Sequence, residues 1–356
     1  MEPWRAMARK ISKPANGSLL IVRFSTAVYW DNSGYTHERS RAIFASVRSK
    51  RPRREQTMTD QSAIRSTDVA FDSAGATLMG TLHIPDGPDG QTYPGVIVTG
   101  AWTTVKEQMP ATYAQELAKR GYAALVFDFR GWGASEGEPR YLEDPVAKTE
   151  DIQAAARFMA SNEAHALGVA DEKLSGVGVC ASSGYMADAV ASDARFGKLA
   201  MIAAWVHDPA LAEQIYGGPE STAGLIEAGK KAAAADEPQI ITAASTTDSA
   251  SLMYQVPYYT EEDRGLIPAY DNKFNVASWE PWLTYDALSI AERLDKPTLI
   301  VCSDAAALPQ GAHAFADRMK SRPEELWLEN VTQFDFYDRP ETVETSANAV
   351  AAFLAK

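Results

Sequence analysis

From residue 66 onward, apolar and polar positions fall into short blocks with two alternating rhythms. Thr67–Phe71 and Thr77–Ile84 read as strands about a turn at Asp72–Gly75, and Pro85–Gly90 is a second cluster of turn residues. Gly95–Val98 is a short β-branched run ending in the loop Gly100–Glu107. Pro110–Arg120 follows the helical period, with Ala114, Leu117 and Ala118 on one side and Gly121 as its stop. Ala123–Phe127 is a continuous apolar strand followed by the Gly-rich loop Asp128–Gly137, and Val146–Met159 is amphipathic. Leu174–Val179 predicts a strand, Gly184–Val190 the start of a helix, and Leu199–Val206 a further buried strand. After a long interruption, Thr298–Cys302 and Glu325–Leu328 read as strands flanking a helix over Gly311–Lys320. A final helix is expected to open at Asp338, with Glu341 at the capping-box spacing and Val343, Ala347, Val350, Phe353 and Leu354 as its buried stripe.

Apolar strands alternating with helices predict an α/β fold: a mostly parallel eight-stranded sheet covered by helices on both faces. Chemistry in such sheets collects at the carboxyl ends of the strands, so the loops after Val98, Phe127, Val179, Val206, Cys302 and Leu328 are the ones to inspect. Residues 208–292 break the alternation. Between Tyr254 and Tyr285 eight of 32 residues are aromatic, against 10% for the chain. Such an insertion suits a cap that shapes an apolar pocket, or one whose rings pack a small core of their own. The core would then comprise 66–207 and 293–356.

Charge divides the chain differently. The net value is −13, yet residues 1–57 hold 12 Lys/Arg against 4 Asp/Glu. This basic segment has no sustained period and is expected to be disordered or to lie outside the native fold. It reads as an organelle-targeting segment, a basic tail, or, preferred here, an extension upstream of a natural start at Met58. The acidic remainder argues against a nucleic-acid partner, and no apolar run approaches the length of a membrane span. Two cysteines make no disulfide framework and suit a cytoplasmic protein. Five histidines without paired spacing give no metal site, and no cofactor is predicted: Gly131-x-Gly133-x-x-Glu136 lacks the third glycine of a dinucleotide loop. Composition leaves a homodimer open.

The segment Gly176-Val-Gly178-Val-Cys180-Ala-Ser182-Ser-Gly184 carries the chemistry. A nucleophile on a sharp strand-to-helix turn needs small residues two before and two after it, and Gly178 and Ser182 meet that need around Cys180. The following helix would favour the thiolate, and the Ala181 N–H would face a developing oxyanion. A shifted register with Ser182 as nucleophile is sterically allowed; an inert buried thiol is the bland alternative.

Gly178-Val-Cys180-Ala-Ser182 resembles the elbow of dienelactone hydrolases, a cysteine version of the α/β-hydrolase Gly-x-Ser-x-Gly. Asp128-Phe-Arg130-Gly131-Trp-Gly133-Ala-Ser135-Glu-Gly137 is similar to the loop after the fourth strand of α/β-hydrolases. The resemblance spans about residues 66–356 and is nearest to dienelactone-hydrolase-like and peptidase-related bacterial members. It implies an α/β-hydrolase fold, a second oxyanion donor at the N–H of Trp102, and Asp304 as the triad acid. The histidine it implies is missing: Gln333 stands in the loop after the last strand, where the base belongs, and cannot take a proton near neutral pH. His207, directly after the apolar run ending at Val206, is the candidate substitute; its bland reading is a structural hydrogen-bonder. The expected activity is hydrolysis of a small apolar or aromatic ester, thioester or lactone, with acyl transfer and non-catalytic binding of an apolar ligand as the alternatives.

Overall fold

In the computed structural model the described residues are 63–249 and 251–356; the reading of residues 1–57 falls outside them. Among the described residues twelve strands form in chain order. The first six are β1 (Ile64–Ser73), β2 (Ala76–Pro85), β3 (Gly95–Thr99), β4 (Ala123–Phe127), β5 (Leu174–Val179) and β6 (Phe196–Ile202). Four short ones follow in the insertion: β7 (Ile240–Thr242), β8 (Ala244–Ser245), β9 (Met253–Tyr254) and β10 (Lys273–Asn275). The last two are β11 (Thr298–Cys302) and β12 (Glu324–Trp327).

Eight of these make one sheet in the order β1-β2-β4-β3-β5-β6-β11-β12. β2 runs antiparallel to β1 and β4, and the pairs from β4 through β12 are parallel. β3, β4, β5 and β11 bury every or nearly every residue, as expected of strands covered on both faces. The β1–β2 hairpin turns through Ala74 and Gly75, both with positive φ, the geometry of a two-residue turn matched to strand twist.

The chain leaves β3 for β4 on one side and returns to place β5 on the other. Loops diverging from neighbouring strands in this way open a crevice at their carboxyl ends. Thr99 pairs with Gly178 in register, so the loop from Gly100 starts beside Cys180.

Two sequence expectations are corrected. The strand predicted over Leu199–Val206 ends at Ile202, because Ala203 adopts a left-handed conformation (φ 47°); His207 therefore stands five residues past the strand rather than at its tip. The last helix begins at Pro340 with no side-chain cap. Asp338, the expected cap, instead closes a short helix over Asp335–Asp338 and pairs with Arg264 of the insertion at 2.6 and 2.7 Å.

The insertion packs a core of its own. Trp102, reaching up from the core, meets Phe274 (4.9 Å), Trp282 (5.4 Å) and Trp279 (6.1 Å). Of the eight aromatics between Tyr254 and Tyr285, only Tyr259 and Trp282 also line the main cavity; the insertion is thus both a packed unit and a wall.

Candidate active site

Cys180 has φ 60°, the sharp bend between β5 and the helix Ser182–Ser192. Non-glycine residues seldom adopt this conformation, and it persists only where surroundings enforce it. Here the Cys180 N–H donates to the Ile202 carbonyl (2.9 Å) and the Cys180 carbonyl accepts from Trp205 N–H (3.0 Å). Gly178 is required by contact: a Cβ there would lie 2.6 Å from the Ser182 carbonyl oxygen. Ser182 is fully buried and donates its hydroxyl to the Val179 carbonyl (3.1 Å); it does not line the cavity.

The Trp102 and Ala181 N–H groups and the hydroxyl of Tyr337 lie near enough to the sulfur to favour its charged form. Trp102 is held there by its neighbours. Thr103 is left-handed (φ 63°), and its N–H donates to Glu143 Oε2 (3.3 Å). Lys106 N–H donates to Asp128 Oδ1 (2.7 Å), while Asp128 Oδ2 accepts from Ala134 N–H (3.0 Å). Asp128 thereby joins the two loops that the sequence had singled out separately. Glu143, fully buried, also accepts from Lys148 Nζ and Tyr185 Oη, each at 2.8 Å.

Burial dominates the electrostatics. It pushes the Cys180 thiol up to about 11, and the nearby Glu143 carboxylate adds to the rise; the three donors oppose it without reversing it. The easing of ionisation expected at the helix terminus is outweighed by this burial, which favours the neutral thiol. Burial likewise raises the phenols of Tyr337 and Tyr259 well above their ordinary value.

Gln333 lies in the loop after β12 and is buried beside the cavity. Its Oε1 accepts from Ala307 N–H (3.0 Å), and its Nε2 donates to the Ala203 carbonyl (2.9 Å) and to Tyr337 Oη (3.0 Å). The left-handed turn at Ala203 presents that carbonyl. Asp304 is absent from this group: its side chain is 83% exposed and bonds His313 Nε2 (2.9 Å), whose ring stacks on Trp327. Three alanines, 305 to 307, occupy the wall where the loop passes the cavity. His207 is also apart. It donates Nε2–H to the Trp282 carbonyl (2.9 Å) and packs on the Trp282 ring, away from the cavity lining. Burial pushes its pKa down.

A cavity of about 510 Å³ opens over Cys180, Ala181 and Trp102. Tyr216, Met253, Val256, Tyr259 and Trp282 supply its insertion side; Gln333, Phe334 and Tyr337 close the other. Arg264 and Asp335 are its charged members. The size suits a small ligand, and the mostly apolar wall suits an apolar one. Among the described residues no cluster of three or more His, Cys, Asp or Glu side chains is placed to hold a metal, and no helix is long and apolar enough to cross a membrane.

Sequence reasoning missed Tyr337 and Glu143. Tyr337 follows Gln333 by four residues, a spacing that becomes informative only once the short helix Asp335–Asp338 is known. Glu143 gives no local signal, since its partners come from four separate segments.

Comparison with known proteins agrees with this architecture. The family described as FrsA-like esterases matches residues 4–148. The protein YcjY of Escherichia coli K12 is 27% identical over 280 residues, covering 76% of this chain and 90% of its own. A local match, 32% identical over 87 residues, covers 28% of a polyketide transferase of Penicillium crustosum. The crystal structure of PA2218 from Pseudomonas aeruginosa superposes with a TM-score of 0.71 at 23% identity, over 84% of this chain and 95% of that one. The α/β hydrolase GrgF of a Penicillium species gives 0.69 at 22%, over 82% and 98%.

Proposed function

We propose that this chain, which shares the fold of the α/β hydrolase GrgF, performs acyl chemistry on a small, largely apolar substrate through Cys180. The observation that carries the reading is the meeting of three features: a sulfur on a left-handed elbow, two backbone N–H groups beside it, and an apolar cavity above. Sγ attacks the substrate carbonyl carbon, the Trp102 and Ala181 N–H groups hold the oxygen as it gains charge, and collapse expels the leaving group and leaves an acyl-thioester on Cys180. Each such donor contributes roughly 2.7–4 kcal/mol to transition-state stabilisation. The FrsA-like esterase family and the partial likeness to a polyketide transferase support acyl chemistry as a class. The finer likeness to dienelactone hydrolases rests on Gly178–Ser182 alone.

Transfer of the acyl group to an acceptor is favoured over hydrolysis. Releasing an acyl-thioester to water requires a base, and the expected candidates do not supply one: Asp304 faces solvent, His207 is committed to Trp282, and Gln333 does not accept a proton. The test is intact-mass analysis after incubation with short activated acyl thioesters. The expected result is a single acyl adduct that disappears in Cys180→Ala. Full turnover by Cys180→Ala removes Cys180 from the reaction, and tight binding with neither adduct nor turnover would leave a ligand-binding protein.

A further inference from the structure

The mechanism so far leaves one proton unassigned: the thiol must lose it as sulfur attacks. The bonding around Gln333 fixes where it goes. Ala307 N–H is a donor, so the amide atom it meets is Oε1; the Ala203 carbonyl accepts, so its partner is Nε2. The amide orientation is thus set from both ends. The second Nε2 hydrogen then points at Tyr337 Oη, which accepts it. Tyr337 keeps its own proton to donate and one lone pair to receive, and its hydroxyl is near enough to Cys180 and Tyr259 to interact electrostatically with both. All three side chains border the cavity.

Resting on the acyl chemistry above, we propose that Tyr337 is a catalytic proton shuttle, oriented by Gln333, and that it fits the site to thioesters. As sulfur bonds to the carbonyl carbon, the S–H proton moves to Tyr337 Oη and the phenol proton moves to the departing sulfur. The products are acyl-Cys180 and a free thiol, and Tyr337 ends as it began. The reverse sequence passes the acyl group to an incoming thiol. Neither step leaves a thiolate or a phenolate, so the burial that opposes both does not obstruct the exchange, and the only charge that develops lies on the carbonyl oxygen under the two N–H groups. An alkyl oxoester lacks this symmetry, because its leaving alkoxide is far more basic than the attacking thiol.

The titratable groups that interact with Cys180 are Tyr337, Tyr259, Tyr216, Tyr185, Glu143 and Cys302. Burial raises the thiols and phenols among them, so the shuttle predicts an acylation rate that is flat from about pH 6 to 9. The experiment measures Cys180 acylation by the N-acetylcysteamine thioester of hexanoic acid, by quenched-flow mass spectrometry, in the wild type and Tyr337→Phe. Tyr337→Phe is expected to slow acylation about 10²–10⁴-fold at pH 7 and to make its rate climb about tenfold per pH unit, as reaction through free thiolate requires. Gln333→Ala, which frees Tyr337 to rotate, should fall between the two and keep the flat profile. Wild-type acylation with an unchanged rate and profile in Tyr337→Phe overturns the shuttle while leaving the acyl chemistry standing. Equal acylation by ethyl hexanoate and by the thioester overturns the substrate assignment. A purely structural role for Tyr337 would lower the rate without altering its dependence on pH, and that outcome also overturns the proposal.

Discussion

Cys180 sits among donors. Two backbone N–H groups and a phenol favour its charged form, while the carboxylate that opposes it, Glu143, is held by Lys148, Tyr185 and Thr103. Such a thiol is protected from reagents that need a thiolate and carry no means of moving its proton. With the thiol raised from 9.0 to about 11, its thiolate fraction at neutral pH is about 10²-fold below that of a free cysteine. Iodoacetamide should therefore alkylate Cys180 about 10²-fold more slowly than it alkylates free cysteine at pH 7.5, with a rate rising about tenfold per pH unit. Peptide mapping of the modified sulfur measures this, and rapid alkylation with a flat profile would contradict the burial argument. Reading the sequence placed Cys180 and Ala181 at one bend through the small residues spaced around a strand end, and Trp102 beside them through the resemblance to α/β-hydrolases. It misplaced Asp304 and His207, since where a side chain turns after leaving a strand depends on the partners that claim it: His313 in one case, the Trp282 carbonyl in the other.

The site hangs on segments rather than single residues. The helix Pro145–Met159 brings Lys148 to Glu143, and both side chains are buried. Lys148 also lies 4.7 Å from the ring centres of Phe129 and Trp132. This ion pair fastens the loop carrying Trp102 to the helix below it and, through Glu143 N–H to Ser278 Oγ (2.8 Å), to the insertion. Removing one member strands the other charge in an apolar interior, which typically costs about 3–5 kcal/mol. Glu143→Leu should thus lower the melting temperature sharply and slow acylation of Cys180, and adding Lys148→Met should recover most of the stability but not the rate. Thermal unfolding of the two variants, with acylation measured in parallel, tests both parts; full stability of the single variant would show that the pair does not hold the loop. Element boundaries were readable where a run of apolar residues met a charged residue or a proline, as at Asp128 after β4, Lys173 before β5 and Pro297 before β11. They failed where a non-glycine residue turned left-handed, as at Ala203, or where a cap was claimed by another segment, as at Asp338.

At the scale of the molecule, burial of histidine sets a limit on acid tolerance. Burial lowers the pKa of both His83 and His207. In the unfolded chain each takes up a proton near pH 6.5, whereas the folded protein resists doing so; the unfolded state then binds more protons, and stability is lost as pH falls through that value. The melting temperature should drop between pH 7.5 and 5.5, and His83→Gln with His207→Gln should flatten this dependence even if both variants melt lower at pH 7.5. A wild-type profile that rises toward pH 5.5 would be the wrong sign.

The chain's linear pattern by itself determined the alternation of strands and helices, the parallel sheet, the position of the elbow and the presence of an aromatic insertion. These follow from burial periodicity and from the small set of backbone shapes that glycine, proline and β-branched residues allow, and both act over a few neighbouring residues. Only tertiary structure decided which groups surround the sulfur. Tyr337 and Cys180 are 157 residues apart, and Gln333 takes its orientation from Ala203 and Ala307 in two other segments. Hydrogen bonds of that kind depend on which loops the sheet brings to one edge, and a desolvated thiol takes its acidity from everything that excludes water around it. Neither quantity is a property of any short stretch of sequence.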